Sequence, residues 1–222
     1  RARASRIART VMAALKPSTV SDWAPNGASK GLHWQVDNEP SLVRYLFGST
    51  EYRGAVVVHD CVATDNGKHT RVMHNAIDRW TGGVADGLLF SELVYVDTVW
   101  DRLTIDVDVA RLLTNADRSS ATRASNKAKA ALCLLGLTLA ELCAGTLPLG
   151  SRVTRGLGQV DVKELTITGG SGLLGEFNIE GSTGVEIAKR LLGQLSEVAF
   201  DDPQVRANGK TYAGWSAYLF NN

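Results

Sequence analysis

A glycine- and arginine-rich segment, GSRVTRGLGQVDV at 150–162, limits the possible folds more than any other part of this sequence, because it joins a long apolar helical pattern to a β-type strand. Three glycines allow backbone conformations and close approaches that a side chain would block: Gly150, Gly156 and Gly158. Arg152 and Arg155 add two permanent planar cations, and exposed backbone N–H groups beside arginines suit phosphate oxygens. The same letters also fit a helix C-cap followed by a turn with two surface arginines. The segment alone leaves both interpretations open.

The charge balance limits the partners that this chain can bind. Its 222 residues carry a formal net charge of +1, so a nucleic-acid site must be a local patch rather than a general basic surface. Basic residues cluster in two places, each of which also fits a solvated helix face: Arg1, Arg3, Arg6 and Arg9, and then Arg118, Arg123, Lys127 and Lys129. With 44% hydrophobic residues, the chain can bury the core of one elaborated domain.

The cysteine spacing fits a reducing compartment, and the hydropathy pattern indicates neither secretion nor a membrane span. Cys61, Cys133 and Cys143 are widely spaced and form no CxxC pair, so they predict neither a zinc site nor a disulfide framework. No signal peptide and no run of about 18 apolar residues is evident. We therefore expect a cytoplasmic protein with no membrane partner.

The hydrophobic pattern predicts alternating helices and strands. Helices are expected at 1–15, at 183–197, and from Ser119 or Ser120 to about Cys143. Strands are expected at 53–64, 88–96, 103–109 and 159–167. Between them, residues 17–40 read as an irregular connection that begins at Pro17, and residues 68–86 as an arm of uncertain structure.

In order, these elements give the β-α-β-β-α-β pattern of a ferredoxin-like (RRM-like) α+β fold without its first strand. That strand lies inside the sheet, where unpaired N–H and C=O groups cost roughly 1–3 kcal/mol each if buried. The chain begins at Arg1 and its first methionine is Met12, so we expect it to be a fragment. A strand from an upstream segment or from a partner is expected to fill the slot.

Three segments on this skeleton resemble one family: LFGSTEYRG at 46–54, IDRWTGGVADGLLF at 77–90, and the glycine- and arginine-rich loop. In this order they are similar to the RAMP superfamily, specifically the backbone subunits of type III CRISPR effector complexes. The resemblance covers most of residues 1–168. It implies a ferredoxin-like core over 1–168 with an arm at about 68–95, followed by a C-terminal extension over 169–222. The apolar tail of that extension is expected to pack on the core or on a neighbour.

The resemblance implies binding of a guide RNA along a row of neighbouring RAMP subunits, in antiviral defence. The arm would be a thumb-like β-hairpin that crosses the guide–target duplex and splays a base pair. Its RNA-facing part would be Asp78, Arg79, Trp80, Thr81, Gly82 and Gly83. A tryptophan can stack on a base, worth about 1–3 kcal/mol, although it can equally anchor the arm to a neighbouring subunit.

The family's glycine loop contacts the guide backbone. Carried over, this makes Arg152 and Arg155 phosphate contacts, while Gly150, Gly156 and Gly158 allow the close approach. Such contacts position RNA without reading its sequence. Arg6 and Arg9 on the first helix would be weaker members of the same groove, whereas Ser49 and Arg53 are expected to fix a local turn.

Enzymatic activity is left open by the residues present. Target cleavage in this family depends on an aspartate in the loop after the first strand, upstream of Arg1, and would use Mg²⁺. Some relatives carry a zinc knuckle before the LFGS segment, but here only His33 is available, so we expect no zinc. Asp86 beside Gly87 is the best of several weak Mg²⁺ candidates. Two alternatives remain: a catalytically inactive structural subunit, and a stand-alone, metal-independent endoribonuclease that processes guide precursors through His69 or His74.

Overall fold

The computed structural model describes residues 1–15, 40–65, 67–150, 152–169, 173–202, 204–207 and 210–220. These ranges form an α+β structure with α1 (Ala2–Leu15), α2 (Ser41–Phe47), α3 (Val109–Ala116), α4 (Ala121–Cys143) and α5 (Gly184–Ser196). The first six strands are β1 (Val56–Val58), β2 (Ala63–Asp65), β3 (Lys68–Ile77), β4 (Val84–Val96), β5 (Val99–Trp100) and β6 (Ile105–Val107). The last four are β7 (Glu164–Ile167), β8 (Phe177–Glu180), β9 (Gln204–Ala207) and β10 (Lys210–Ala213). Short 3₁₀ turns lie at Val153–Arg155 and Trp215–Leu219.

The strands pair two by two: β1 with β6, β2 with β5, β3 with β4, β7 with β8, and β9 with β10. This mixed architecture is compatible with the predicted ferredoxin-like fold. The described strands do not extend into one larger sheet, and the missing first strand stays a prediction. Within the described ranges, no helix combines the length and apolar character that a membrane span needs.

The predicted helices are confirmed, and local capping explains their ends. Ser120 precedes α4, and its hydroxyl accepts a hydrogen bond from the Arg123 N–H at 3.4 Å. Beyond α4, Gly145 has a φ of +72°, the left-handed conformation in which glycine commonly ends a helix. Thr183 caps α5 by accepting from the Glu186 N–H at 3.3 Å.

Other elements differ from the sequence-based expectations. The strand predicted over 159–167 is regular only over β7, because β8 offers pairing partners to those four residues alone. The strand predicted over 53–64 is divided, since β1 pairs with β6 and β2 pairs with β5. Helix α3 was not predicted; it begins after Asp108, whose carboxylate accepts from the Arg111 N–H at 2.9 Å. The connection over 17–40 lies, except for Pro40, outside the described residues.

Contacts divide the chain into two units, which we call the body (residues 1–56 and 107–222) and the arm unit (residues 57–106). In the body, α1, α2, α3 and α4 share one apolar core whose largest buried side chains include Leu42, Leu46, Leu112 and Leu134. The described C-terminal segment joins this core through Tyr212, Ala217, Tyr218 and Leu219. A smaller cluster packs α5 and β8 on the end of α4. The boundaries 1–168 and 169–222 remain a prediction.

Two cysteines of α4, Cys133 and Cys143, are buried and do not belong to a reactive site. Cys133 is 1% exposed, and burial raises the pKa of its thiol to about 12. Burial also raises the pKa of Cys143. All three cysteines are free thiols. The buried pair therefore acts as small apolar side chains within α4.

The arm unit consists mainly of the antiparallel β3–β4 hairpin. Its pairing runs from Lys68 opposite Val96 to Ile77 opposite Val84, with a register irregularity between Asn75 and Ile77. None of its described residues is buried. A two-stranded hairpin of this kind is only marginally stable alone in water. The segment of uncertain structure at 68–86 is thus the first strand, the tip and the start of the second strand of this hairpin.

Candidate nucleic-acid interface

The glycine loop is closed at its base by Gly158. The Leu149 N–H donates to the Gly158 carbonyl at 2.8 Å, and Gly158 has a φ of +88°. A Cβ at this position would collide with the Leu149 carbonyl oxygen. Gly158 is therefore required for the loop to close, and its role is structural.

The other two glycines leave the face of the loop open. Gly150 and Gly156 have φ values of +100° and +78°, and no atom of the described residues beyond the chain neighbours would lie within 4 Å of a Cβ placed on either. Between them, Val153–Arg155 forms a 3₁₀ turn in which the Arg155 N–H donates to the Arg152 carbonyl at 3.0 Å. Both arginine side chains are exposed. The loop thus presents two guanidinium groups beside an uncovered backbone, an arrangement that suits phosphate oxygens.

The LFGSTEYRG segment is a tight turn held by the body. Gly48 has a φ of +83°, and a Cβ on Gly48 or Gly54 would clash with backbone across the turn. Asn115 of α3 donates to the Tyr45 carbonyl at 3.2 Å and to the Arg53 carbonyl at 3.0 Å. Sequence reasoning missed Asn115, because a single amide in a short apolar helix carries no distinguishing pattern.

The contacts of Ser49 and Arg53 also lie within this turn. The Ser49 hydroxyl accepts from the Glu51 N–H at 3.1 Å, and Arg53 forms an isolated β-bridge with Gly48. These local contacts agree with the expectation that both residues fix the turn.

The arginines of α1 are not equivalent. Arg3 forms a two-pronged ion pair with Glu141 in the last turn of α4, in which Nη2 donates to Oε1 at 2.9 Å. Hydrogen bonding to Glu141 raises the pKa of Arg3. Arg6 is exposed and Arg9 is half-buried. The buried face of α1 is formed by Ala4, Ser5 and Ala8, whereas Ala14 and Leu15 at its end are exposed.

At the arm tip, one aspartate organises the turn and two side chains are displayed. The Asp78 carboxylate accepts from the Trp80 N–H at 3.0 Å and from the Thr81 hydroxyl at 3.1 Å. The Asp78 N–H donates to the Gly83 carbonyl, and Gly82 has a φ of +68°. Trp80 is 98% exposed. The tip residues therefore divide by role, since four of them shape the turn while Arg79 and Trp80 project from it.

The two histidines of the hairpin, His69 and His74, each pack against an aromatic side chain of the same hairpin. The His69 ring packs edge-on against Tyr95, with centroids 4.5 Å apart. His74 stacks on Phe90 and lies 3.4 Å from the Glu92 carboxylate. Neither arrangement assembles an acid–base pair around an open site.

Other titratable groups form no metal centre among the described residues. No three histidine, cysteine, aspartate or glutamate side chains lie close enough together there to hold a metal ion. Asp86 is exposed next to Gly87, and His33 lies outside the described ranges. His59 and Asp106 form an exposed pair at 2.7 Å that the sequence did not indicate.

The fold and these two surfaces define an α+β protein with a long β-hairpin and a glycine- and arginine-rich loop. A sequence model of the RAMP superfamily matches residues 13–161. The chain therefore belongs to the RAMP superfamily. No curated protein matches the chain. Membership supports a CRISPR-associated, RNA-binding function, in agreement with the resemblance noted from the three sequence segments.

Proposed function

We propose that this chain is a guide-RNA-binding backbone component of a type III CRISPR effector complex, acting in the cytoplasm. The observation that carries the proposal is the open face of the glycine loop, where Arg152 and Arg155 are exposed beside Gly150 and Gly156. A guide differs in sequence from one complex to the next, so contacts to its phosphates suit a subunit that must accept every guide.

The test is a double substitution, Arg152→Ala with Arg155→Ala, in the complete effector complex. Each lost phosphate contact lowers the salt slope of single-stranded binding by about 0.7, so the double variant should lose about 1.4 from its slope. Affinity should fall for all guide sequences alike. Fluorescence anisotropy with guides of different sequence, at several salt concentrations, measures both quantities.

Arg118→Ala with Lys189→Ala is the matched control, because both cations are exposed elsewhere on the body. This variant should keep the wild-type slope. A loss limited to particular guide sequences, or an equal loss in the control, would contradict the role of the loop.

The arm tip supplies a second contact in this proposal. Trp80 wedges against or stacks on a base of the guide–target duplex, and the Arg79 guanidinium group contacts a backbone phosphate. The exposure of Trp80 supports this role, since the full indole face is available for stacking. Asp78, Thr81, Gly82 and Gly83 act indirectly by holding the tip in shape.

The sides of the arm unit support a protein neighbour rather than an RNA backbone. The arm unit contains sixteen of the 22 large exposed hydrophobic side chains among the described residues, fifteen of them besides Trp80. Residues 57–106 contain eight acidic and four basic residues, hence a net charge of −4 with histidines neutral. Apolar, acidic surface repels phosphates and gains by burial against protein. We assign it to an adjacent RAMP subunit.

Whether the subunit cleaves target RNA is a separate question, which is tested with the complete effector complex. Cutting of target RNA at a fixed spacing that requires Mg²⁺ would establish an active subunit. Binding without cutting would establish a structural one. Our proposal assigns a catalytic role to none of the described residues.

A further inference from the structure

Two helices of the body carry buried polar atoms that find no hydrogen-bond partner in the described part of the chain. On α1 these are Ser5 Oγ and Arg9 Nε, and on α2 they are Ser41 Oγ and Arg44 Nε. Ser5 and Ser41 are only 4% and 2% exposed. Buried polar groups are nearly always paired, so four such atoms on two neighbouring helices need an explanation.

The four groups are arranged as two matched pairs. Ser5 and Arg9 are four residues apart on α1, and Ser41 and Arg44 are three residues apart on α2, so each pair shares one face of its helix. Each face therefore combines one hydroxyl with one guanidinium group.

The two helices pack together within the same core. The Arg1 Nη1 donates to the Phe47 carbonyl at 3.3 Å, which ties the start of α1 to the end of α2. The donor pairs thus lie on two elements that contact one another.

The two guanidinium groups also have no counter-charge within the described ranges. Arg3 is paired with Glu141, but no described carboxylate forms an ion pair with Arg9 or Arg44, and both side chains are half-buried. Burial raises the pKa of Tyr52, and the nearby Arg44 cation opposes this rise. Half-buried cations without a partner are unfavourable, which points to an anion as the missing group.

We propose that α1 and α2 form a second phosphate-binding site, built from Arg9, Arg44, Ser5 and Ser41. Guanidinium groups are donors only, and hydroxyls can donate, so the set matches an anion with several oxygens. The inference rests on the proposed RNA-binding function, because a backbone phosphate of the guide has this chemistry. A free phosphate-containing ligand shares it.

Thermal unfolding of the full chain tests the site. Inorganic phosphate should raise the Tm of the wild type above its value in chloride at equal ionic strength. Arg9→Gln and Arg44→Gln should each raise the half-saturating phosphate concentration about tenfold, the size expected for one charged hydrogen bond. Arg118→Gln, which removes an exposed cation elsewhere on the body, should leave the response unchanged.

The Arg44→Met variant distinguishes loss of phosphate binding from loss of folding. Because it replaces a half-buried cation with an apolar side chain that retains the packing of the aliphatic stem, the phosphate-free protein should be at least as stable as the wild type. It should nevertheless lose the response to phosphate. A wild type whose Tm is equal in phosphate and chloride, or an unaltered response in the Arg44 variants, would overturn the site.

Single-stranded RNA distinguishes the two sources of phosphate. Weaker RNA binding by Arg9→Gln and Arg44→Gln, with competition by phosphate, would support a guide phosphate. Unchanged RNA binding with a lost phosphate response would support a free ligand at the same site. A response to phosphate in a protein that binds no RNA would overturn the proposed function and leave this site standing.

Discussion

At the scale of single residues, aspartate carboxylates fix several turns and helix ends by accepting hydrogen bonds from nearby N–H and hydroxyl groups. Asp78 holds the arm tip, and Asp108 begins α3. Asp117 accepts from the Ser119 hydroxyl at 2.6 Å and from its N–H at 2.8 Å, and it also pairs with Lys127. These hydrogen bonds, with smaller help from Lys127 and Arg123, hold the pKa of Asp117 well below its usual range.

We predict that Asp117→Asn destabilises the protein at neutral pH, by about 1–3 kcal/mol, since it leaves the buried Lys127 ammonium unpaired. A depressed folded pKa stabilises above the unfolded value of about 3.9 and is lost as the pH falls through the folded value. The difference from wild type should therefore shrink steadily below about pH 4. Urea unfolding across pH measures it.

Asp117→Asn with Lys127→Met is the control for this prediction. The double variant removes the unpaired cation and should regain most of the lost stability. A constant difference between Asp117→Asn and wild type down to the lowest pH would show that the Asp117 charge does not stabilise the fold.

Sequence reasoning singled out residues that the structure shows to be exposed, but it did not reveal how their neighbours hold them. Arg152, Arg155 and Trp80 were singled out because the chemistry of a guanidinium or indole group follows from the residue type alone. The turn-forming use of Asp78 depends on hydrogen bonds between residues up to five positions apart. Asn115 acts on a turn more than 60 residues away in the sequence, so no local pattern reveals it.

At the scale of elements, signals within a few residues predicted the helix ends, whereas the sequence did not predict how far the strands extend through pairing. Helix α4 could be delimited by its capping serine and its terminal glycine, which act within a few residues. The strand expected over 159–167 is short because regularity there depends on β8, which follows after a further turn. Strand length is decided by the partner, which the sequence does not specify.

The glycine loop offers a matched test of element-level structure. We predict that Gly158→Ala lowers the free energy of unfolding by more than about 2 kcal/mol, because it combines a positive φ with a clash against Leu149. Gly156→Ala shares the positive φ but points into open space, so only backbone strain of about 1 kcal/mol applies. Urea unfolding of both variants gives the comparison. Equal losses would show that Gly158 does not close the loop.

At the scale of the whole molecule, charge and apolar surface are unequally distributed. The arm unit carries a net charge of −4, and the body contains 20 basic and 15 acidic residues, which leaves it at +5. We predict that the acidic arm unit of one subunit faces a basic surface of its neighbour in the proposed complex. This separation could be counted from the sequence, but its meaning depended on knowing where the hairpin lies.

We predict that the exposed face of the hairpin, defined by Met73, Leu89, Leu93 and Tyr95, is covered in the assembled complex. Leu89→Ser with Leu93→Ser should reduce the number of copies per particle, measured by native mass spectrometry. The Tm of the isolated chain should stay within about 2 °C, because both side chains are more than half exposed.

Val185→Ser with Leu192→Ser on α5 is the matched control, since these side chains are also exposed but lie outside the arm unit. Particles of normal size in the Leu89 and Leu93 variant, or equal losses in the control, would contradict a protein neighbour at this face.

The most direct test of the central claim is to isolate the full-length protein with its natural partners and sequence the nucleic acid that accompanies it. We predict short RNAs that share a constant repeat-derived end and differ in the remainder. Their amount should fall in the Arg152→Ala, Arg155→Ala variant. A preparation free of nucleic acid, or one with RNAs of random ends, would contradict the assignment of this chain as a guide-RNA-binding backbone component.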